Sequence, residues 1–291
     1  MFQTIRKPSR NNIKHLSLSA LSALGLVLLT ALSPVLPAAS PAQAAPAPSE
    51  STMDAIVKRG ALRVGFSSFV PWAMQDKQGK YIGFEIDVAQ RLADDLGVKL
   101  QPVPTSWDGI IPALLAGKFD MIIGSMAITP KRALSVNFSV PYDTAYIDVT
   151  LNREKAGDIK TLADLNKPEV VVAVRNGTTA ALAAKKLAPN ATFRVFNDEA
   201  PAVEEVLAGR AHAFFSSAPL PAMETLRNPD KLVQNFELQA FRAPIAIAVR
   251  KGDADTLNVL DGWIRMVEEE GWLQERRDYW FKSNQWESLL R

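Results

Sequence analysis

Between Ala61 and Gly124 the chain switches repeatedly between the apolar period of a strand and that of a helix, and this limits its fold more than any other feature. "ALRVGF" (Ala61 to Phe66) reads as a short strand, followed by a loop with a turn centred on Gly79. "FEIDVAQRLADDLGV" then places Val88, Leu92 and Leu96 beside Ala89 and Ala93 on one helical face. On the other face Asp87 to Arg91 and Arg91 to Asp95 are spaced for ion pairs. A strand in "KLQPVP", a helix in "WDGIIPALLAG" and a strand in "FDMIIG" follow. Strands separated by helices cannot pair as hairpins, so this order predicts an α/β fold with a mostly parallel sheet and helices on its faces.

The pattern restarts after "NFSVPYDTAYIDVTLN". "DIKTLADL" reads as a short helix, "EVVVAV" as a buried strand, "RNGTTAALAAKKLA" as a Gly loop entering a helix, and "TFRVF" as a strand. "NDEAPAVEEVLAG" has the Asn/Asp start and Gly stop of another helix, and "RAHAFF" is the next strand. In one place the two halves are alike in sequence: "LAGKFDMIIGSMA" (Leu115 to Ala127) and "LAGRAHAFFSSAP" (Leu207 to Pro219) both run from a helix end through Gly and a cation into an apolar strand. The final third holds "IAIAVRKGD", a long helix from about Thr256 to Glu270, and a further helix in "WLQERRDYWFK" after Gly271. Glu268, Glu269 and Glu270 read as a solvated helix end.

The first 44 residues are laid out as a secretory signal: Arg6, Lys7, Arg10 and Lys14, then the apolar run Leu16 to Leu32, then "AQA" ending at Ala44. An uncleaved membrane anchor is the alternative, but the apolar run is short for a span and the small-residue ending suits cleavage. Residues 45–52 read as a loose leader, with folding expected from Met53. Setting the four signal cations aside from the 33 Lys and Arg leaves 29 against 31 Asp and Glu. A near-neutral surface without a basic stripe argues against nucleic acid as a partner. The chain has no Cys, which removes thiol catalysis, Cys-based zinc sites and a lipid-modified cysteine at the cleavage point. An exported chain of this size must then be held by a packed core.

The sequence holds no G-x-S-x-G, H-E-x-x-H, P-loop or G-x-G-x-x-G, and His212, the one His beyond the signal, falls in a predicted strand where a structural role is favoured. Paired-carboxylate chemistry stays open, since the spacing of acids in space is not visible in a sequence. The polar features that remain lie at predicted strand ends, where open parallel sheets hold ligands. "GSMAITPKR" (Gly124 to Arg132) leaves a strand through small residues and enters a short helix capped by Thr129, with Pro130 at its first position. Arg132 there is open to two readings, a planar fork for a carboxylate or a surface Arg beside a capped helix. "VRNGTTAAL" combines a Gly loop with Thr178 and Thr179 at a helix start, an anion pocket that is compatible with simple capping.

Over its length, "GKYIGFEIDVAQRLADDLGVKLQPVPTSWDGIIPALLAGKFDMIIGSMAITPKRALSVNFSVPY" resembles the first lobe of the polar amino-acid binding proteins, the periplasmic receptors of ABC importers called bacterial extracellular solute-binding proteins, family 3. The likeness continues through "IKTLADL", "VRNGTTA", "LAGRAHAFF" and "IAIAVRKGD" to "GWLQERRDYWF". It implies a two-lobed periplasmic binding protein fold with two hinge crossovers, lobe 1 being residues 53–147 with 243–291 and lobe 2 residues 148–242. It further implies a monomer, located in the periplasm, that binds a small ligand without a cofactor, closes on it and docks on a membrane permease.

Carried over by position, the resemblance makes Arg132 the carboxylate-binding residue, assisted by Thr129 and by the backbone near Gly124, Ser125 and Ala127. Thr178 and Thr179 meet the same carboxylate from the second lobe, and Phe69 and Trp107 cover the ligand; Trp72 reads as packing. The departure is Ser217, which stands where the family usually has an Asp for the ligand's α-ammonium; the loop after "VGF" also looks one residue short. A serine cannot neutralise a cation, and a desolvated ammonium left unpaired costs several kcal/mol. Either another acid reaches the cleft or the ligand lacks a conventionally placed ammonium. A runner-up is an enzyme on the same fold, a cyclohexadienyl dehydratase-like lyase, which would need a protonated carboxylic acid in the cleft that the sequence does not identify. A third reading is a sensing module with the same binding chemistry.

Overall fold

The computed structural model describes residues 50–236, 238 and 241–290. The expected signal peptide and the start of the leader lie outside the described residues. The first segment holds α1 (Thr52–Arg59), β1 (Ala61–Phe66), a small ladder of β2 (Met74–Gln75) with β3 (Tyr81–Ile82), α2 (Phe84–Asp95), β4 (Lys99–Pro104), α3 (Ile110–Leu115), β5 (Met121–Ile122), α4 (Pro130–Ala133), β6 (Asn137–Phe138) and β7 (Asp143–Ala145). The middle segment holds β8 (Ile147–Asn152), β9 (Val171–Arg175), α5 (Thr179–Leu187), β10 (Thr192–Phe196), α6 (Glu199–Leu207), β11 (Ala213–Ser217), α7 (Leu220–Arg227) and β12 (Leu232–Val233). The chain then returns through β13 (Ala243–Ile245), β14 (Ala248–Val249), α8 (Ala254–Glu269) and α9 (Trp272–Arg277).

These elements build two lobes, each around a five-stranded sheet. The orders are β4-β1-β5-β14-β6 and β10-β9-β11-β8-β12. In the first, β1 runs parallel to β4 and β5, while β14 is antiparallel to β5 and β6. In the second, β9 runs parallel to β10 and β11, while β8 is antiparallel to β11 and β12. Each sheet thus has four strands running one way and one, β14 or β8, running against them, and β5 and β11, which lie within the two similar stretches, occupy equivalent central places. The crossings run beside one another, because β7 pairs with β13 in a two-stranded antiparallel ladder.

The helices follow from the sequence locally. Val88, Ala89, Leu92 and Ala93 of α2 are buried as their spacing requires, whereas Leu96 is half-buried. Arg91 pairs with Asp95 at 2.8 Å and with Glu270 at 2.8 Å. The expected Asp87 to Arg91 pair does not form; Asp87 instead accepts from Trp280 Nε1 at 2.7 Å and lies 3.8 Å from Arg276, because α9 and the turn after it pack over that face. The fold also begins earlier than the leader boundary suggests. Ser51 caps α1 in a reciprocal box with Asp54, and Thr52 N donates to Asp253 Oδ2 at 2.8 Å, so both residues belong to the core. At the start of β5 the buried Asp120 is held by Arg59, by Arg63 Nη2 at 2.7 Å and by the Arg63 backbone N–H at 2.8 Å. His212 precedes β11 rather than lying in it, and its Nδ1 accepts from Val171 N at 3.0 Å, a structural role.

Candidate binding cleft between the lobes

The carboxyl ends of β1, β5, β9 and β11 face one another, which brings residues distant in sequence around one narrow cavity. Its lining includes eight of the expected residues: Phe69, Trp107, Gly124, Ser125, Arg132, Thr178, Thr179 and Ser217. Ala127 and Thr129 stand behind it and set Arg132 in place. The Ala127 carbonyl accepts from Arg132 Nη1 at 2.8 Å, and Thr129 Oγ1 accepts from Arg132 N at 3.2 Å as the cap of α4. Trp72 is packing, as expected, and it stacks on Phe69 with ring centroids 4.1 Å apart.

Arg132 leaves the first lobe and donates through Nη2 to the carbonyl of Gly177 at 3.1 Å, in the second lobe. The same carbonyl accepts from Trp107 Nε1 at 3.2 Å. The Arg132 guanidinium lies 5.2 Å from the Trp107 ring centroid, within cation–π range. Burial lowers its pKa to about 10, so it stays charged at any physiological pH. On the opposite wall Thr178 caps α5 by accepting from Ala181 N at 3.1 Å, and Thr179 and Ala180, the first residues of the helix, line the cavity at its positive end. Ser125 adopts φ 56°, a left-handed conformation costly for a side-chain-bearing residue, at the point where the chain turns out of β5 along the cavity wall.

Beneath that turn lies Glu85, which has no exposed surface and accepts from Tyr142 Oη at 2.5 Å. Burial pushes the Glu85 carboxyl up to about 8, and burial beside Glu85 raises Tyr142 well above the usual phenol range. The Ser125 backbone faces this pair.

Five lining residues were not anticipated: Ser67, Arg175, Ala180, Glu199 and Ser216. Arg175 ends β9 and is 2% exposed. Its Nη2 donates to Ser67 across the cleft and its Nε donates to the Asn197 carbonyl at 3.1 Å. It flanks Trp107 at 5.7 Å, so two guanidinium groups share one indole. Glu199 opens α6 and is 9% exposed; its Oε1 accepts from Ser216 Oγ at 3.1 Å, and its Oε2 is buried without a hydrogen-bond partner among the described residues. Burial raises this carboxyl to about 7, with Arg175 and the Ser216 hydroxyl opposing the rise. The sequence signals were slight: an Arg closing the apolar run "VVVAVR" and an acid in the first turn of a helix that follows a strand. Among the described residues no cluster of His, Asp and Glu is suited to a metal ion.

The cleft can therefore take a carboxylate between Arg132 and the start of α5, cover it with aromatic faces, and offer one carboxyl group on the second-lobe wall. Comparison with known proteins agrees with this architecture. The chain is 28% identical over 233 residues to the L-cystine-binding protein TcyJ of Escherichia coli, covering 80% of this chain and 86% of that one. It is equally 28% identical over 235 residues to the cyclohexadienyl dehydratase of Pseudomonas aeruginosa, covering 80% and 87%. Among solved structures, the ancestral amino acid-binding protein AncCDT-1, a precursor of cyclohexadienyl dehydratase, is 43% identical with a TM-score of 0.73, covering 79% of this chain and 99% of that one. Residues 62–283 match the shared pattern of one family across both lobes, and the chain belongs to the bacterial extracellular solute-binding proteins, family 3.

Proposed function

We propose that this protein is a periplasmic receptor of an ABC importer that captures a small carboxylate-bearing ligand, an amino acid or a relative of one, in the interlobe cleft. The observation that carries the reading is the meeting of Arg132 with Thr178, Thr179 and the α5 N-terminus across one small cavity roofed by Trp107. A planar guanidinium opposite free backbone N–H groups is a carboxylate site built from two halves, so occupancy favours the lobes being together. On this reading the signal is cleaved near Ala44, the protein works as a monomer in the periplasm, and the occupied form is what the permease recognises. The protein is then a carrier and not an enzyme.

Two measurements test the proposal. Mass spectrometry of small molecules released on denaturing the purified protein is expected to identify an amino acid or an organic acid. Titration calorimetry is expected to show tight binding of that compound and its loss in Arg132→Ala; binding that survives this substitution unchanged overturns the assignment.

One observation favours a second reading, a cyclohexadienyl dehydratase-like lyase. Glu199 is a cleft carboxyl suited to the acid that such chemistry needs, because burial raises it to about 7. Loss of prephenate or arogenate at a rate above the uncatalysed one, abolished by Glu199→Gln, would support the enzyme. Amino-acid binding without turnover supports the receptor.

A further inference from the structure

We propose that Glu199 supplies the anionic contact that Ser217 lacks, its second carboxylate oxygen receiving the α-ammonium group of an amino-acid ligand whose carboxylate is held by Arg132. The inference rests on the receptor reading and names the ligand group that the second-lobe wall selects. Three features of the site argue for it.

The first is position. Glu199 and Ser217 line the same cavity, and Ser216, beside Ser217 on β11, donates to Glu199 Oε1 at 3.1 Å. The strand that carries no acid thus holds one that arrives from α6. The second is incomplete satisfaction. Glu199 Oε2 is buried, accepts no hydrogen bond among the described residues and makes no ion pair within 4.0 Å there. A buried carboxylate oxygen left so costs several kcal/mol unless a donor reaches it. The third is the charge around it. Arg175 on β9 faces Glu199 but commits Nη2 to Ser67 and Nε to Asn197; Asp198 on the same turn repels it; Asp108 acts on Arg175; and Arg132 stands on the same cavity. The group that completes the arrangement is a compact cation with several donors, which describes an ammonium.

A proton is linked to this contact. With Arg175 nearby but no ligand ammonium on it, the carboxyl titrates near 7, so an arriving ammonium displaces a proton, and affinity rises with pH until the carboxyl is fully ionised.

The test takes the standard L-amino acids as a panel, selects the tightest binder, and compares it with the same molecule lacking the α-amino group. In the parent protein the amino acid is expected to bind more tightly. Glu199→Gln is expected to weaken the amino acid roughly 100-fold and the des-amino compound less than about threefold. Adding Ser217→Asp to that variant is expected to restore much of the loss. Calorimetry at pH 7 in two buffers of different ionisation enthalpy is expected to show a fraction of a proton released by the parent and none by Glu199→Gln. Equal amino-acid affinity in parent and Glu199→Gln overturns the inference and leaves the receptor standing, as does parent binding of des-amino acids alone. Binding of neither class defeats the receptor reading and the inference with it.

Discussion

Raising the pH from about 7 to about 8 should destabilise this protein through one carboxyl group, and Glu85→Gln should remove most of that dependence. Glu85 is fully buried and hydrogen-bonded by Tyr142, and burial holds its carboxyl up to about 8, whereas in an unfolded chain it would titrate near 4.5. Between those two values the unfolded chain has released a proton that the folded chain keeps. The unfolded state then binds fewer protons, so the free energy of unfolding falls as pH rises. One proton gives a slope of about 1.4 kcal/mol per pH unit, and across the whole interval the loss is on the order of 4 kcal/mol. Glu199 adds a slope of the same sign up to about 7. His212, whose pKa burial lowers, has the opposite sign, since its unfolded form takes up a proton below 6.5 and stability is lost as pH falls through that value. Above pH 7 Glu85 is therefore the larger contributor, with Glu199 completing its titration. Urea unfolding at half-unit steps is expected to show the parent losing about 1 kcal/mol over that one unit and Glu85→Gln losing a small fraction of it. A variant that keeps the parent's slope, or a parent with none, refutes the assignment of the proton to Glu85.

Four further outcomes are expected. Arg132→Lys keeps the charge but loses the planar fork, so ligand affinity should fall roughly 30-fold by calorimetry while the thermal midpoint hardly moves. Trp107→Phe removes the donor to Gly177 and the better cation–π surface, and should weaken binding about tenfold without unfolding the protein. Asp120→Asn takes the negative charge from between Arg59 and Arg63 and should lower stability by about 3 kcal/mol in urea titrations. Gly65→Ala would set a Cβ 2.3 Å from the Phe119 ring, so the ring must shift and the urea midpoint should fall by the equivalent of about 2 kcal/mol.

The architecture was legible because each element has an unambiguous local cause. Alternation of apolar periods located β1, α2 and β4, and the Thr-Pro start marked α4 and with it Arg132. The restart after residue 147 was legible for the same reason. What could not be seen is what only tertiary contact decides. Asp87 is as well spaced for Arg91 as Arg91 is for Asp95, yet a Trp and an Arg nearly two hundred residues later capture it. Arg175 looked like the polar end of a strand and Glu199 like an ordinary first-turn acid. Arg175 meets Ser67 because two sheets face each other, and Glu199 meets Ser216 because α6 packs on β11 within the second lobe, relations with no period in the sequence. Ser217 lines the cavity, and an acid that lines it too, Glu199, lies 18 residues upstream.

The carbonyl of Gly177 gives the cleft a built-in competitor. Arg132 and Trp107 both donate to it across the divide, so the two lobes have bonds of their own to exchange. A carboxylate that engages Arg132 Nη2 must draw it from that carbonyl, and the free energy of capture is the difference between two acceptors rather than the worth of one. That cost is the same for every carboxylate, so it lowers the affinity of all of them without separating one from another. Discrimination between ligands then falls to the rest of the cleft wall.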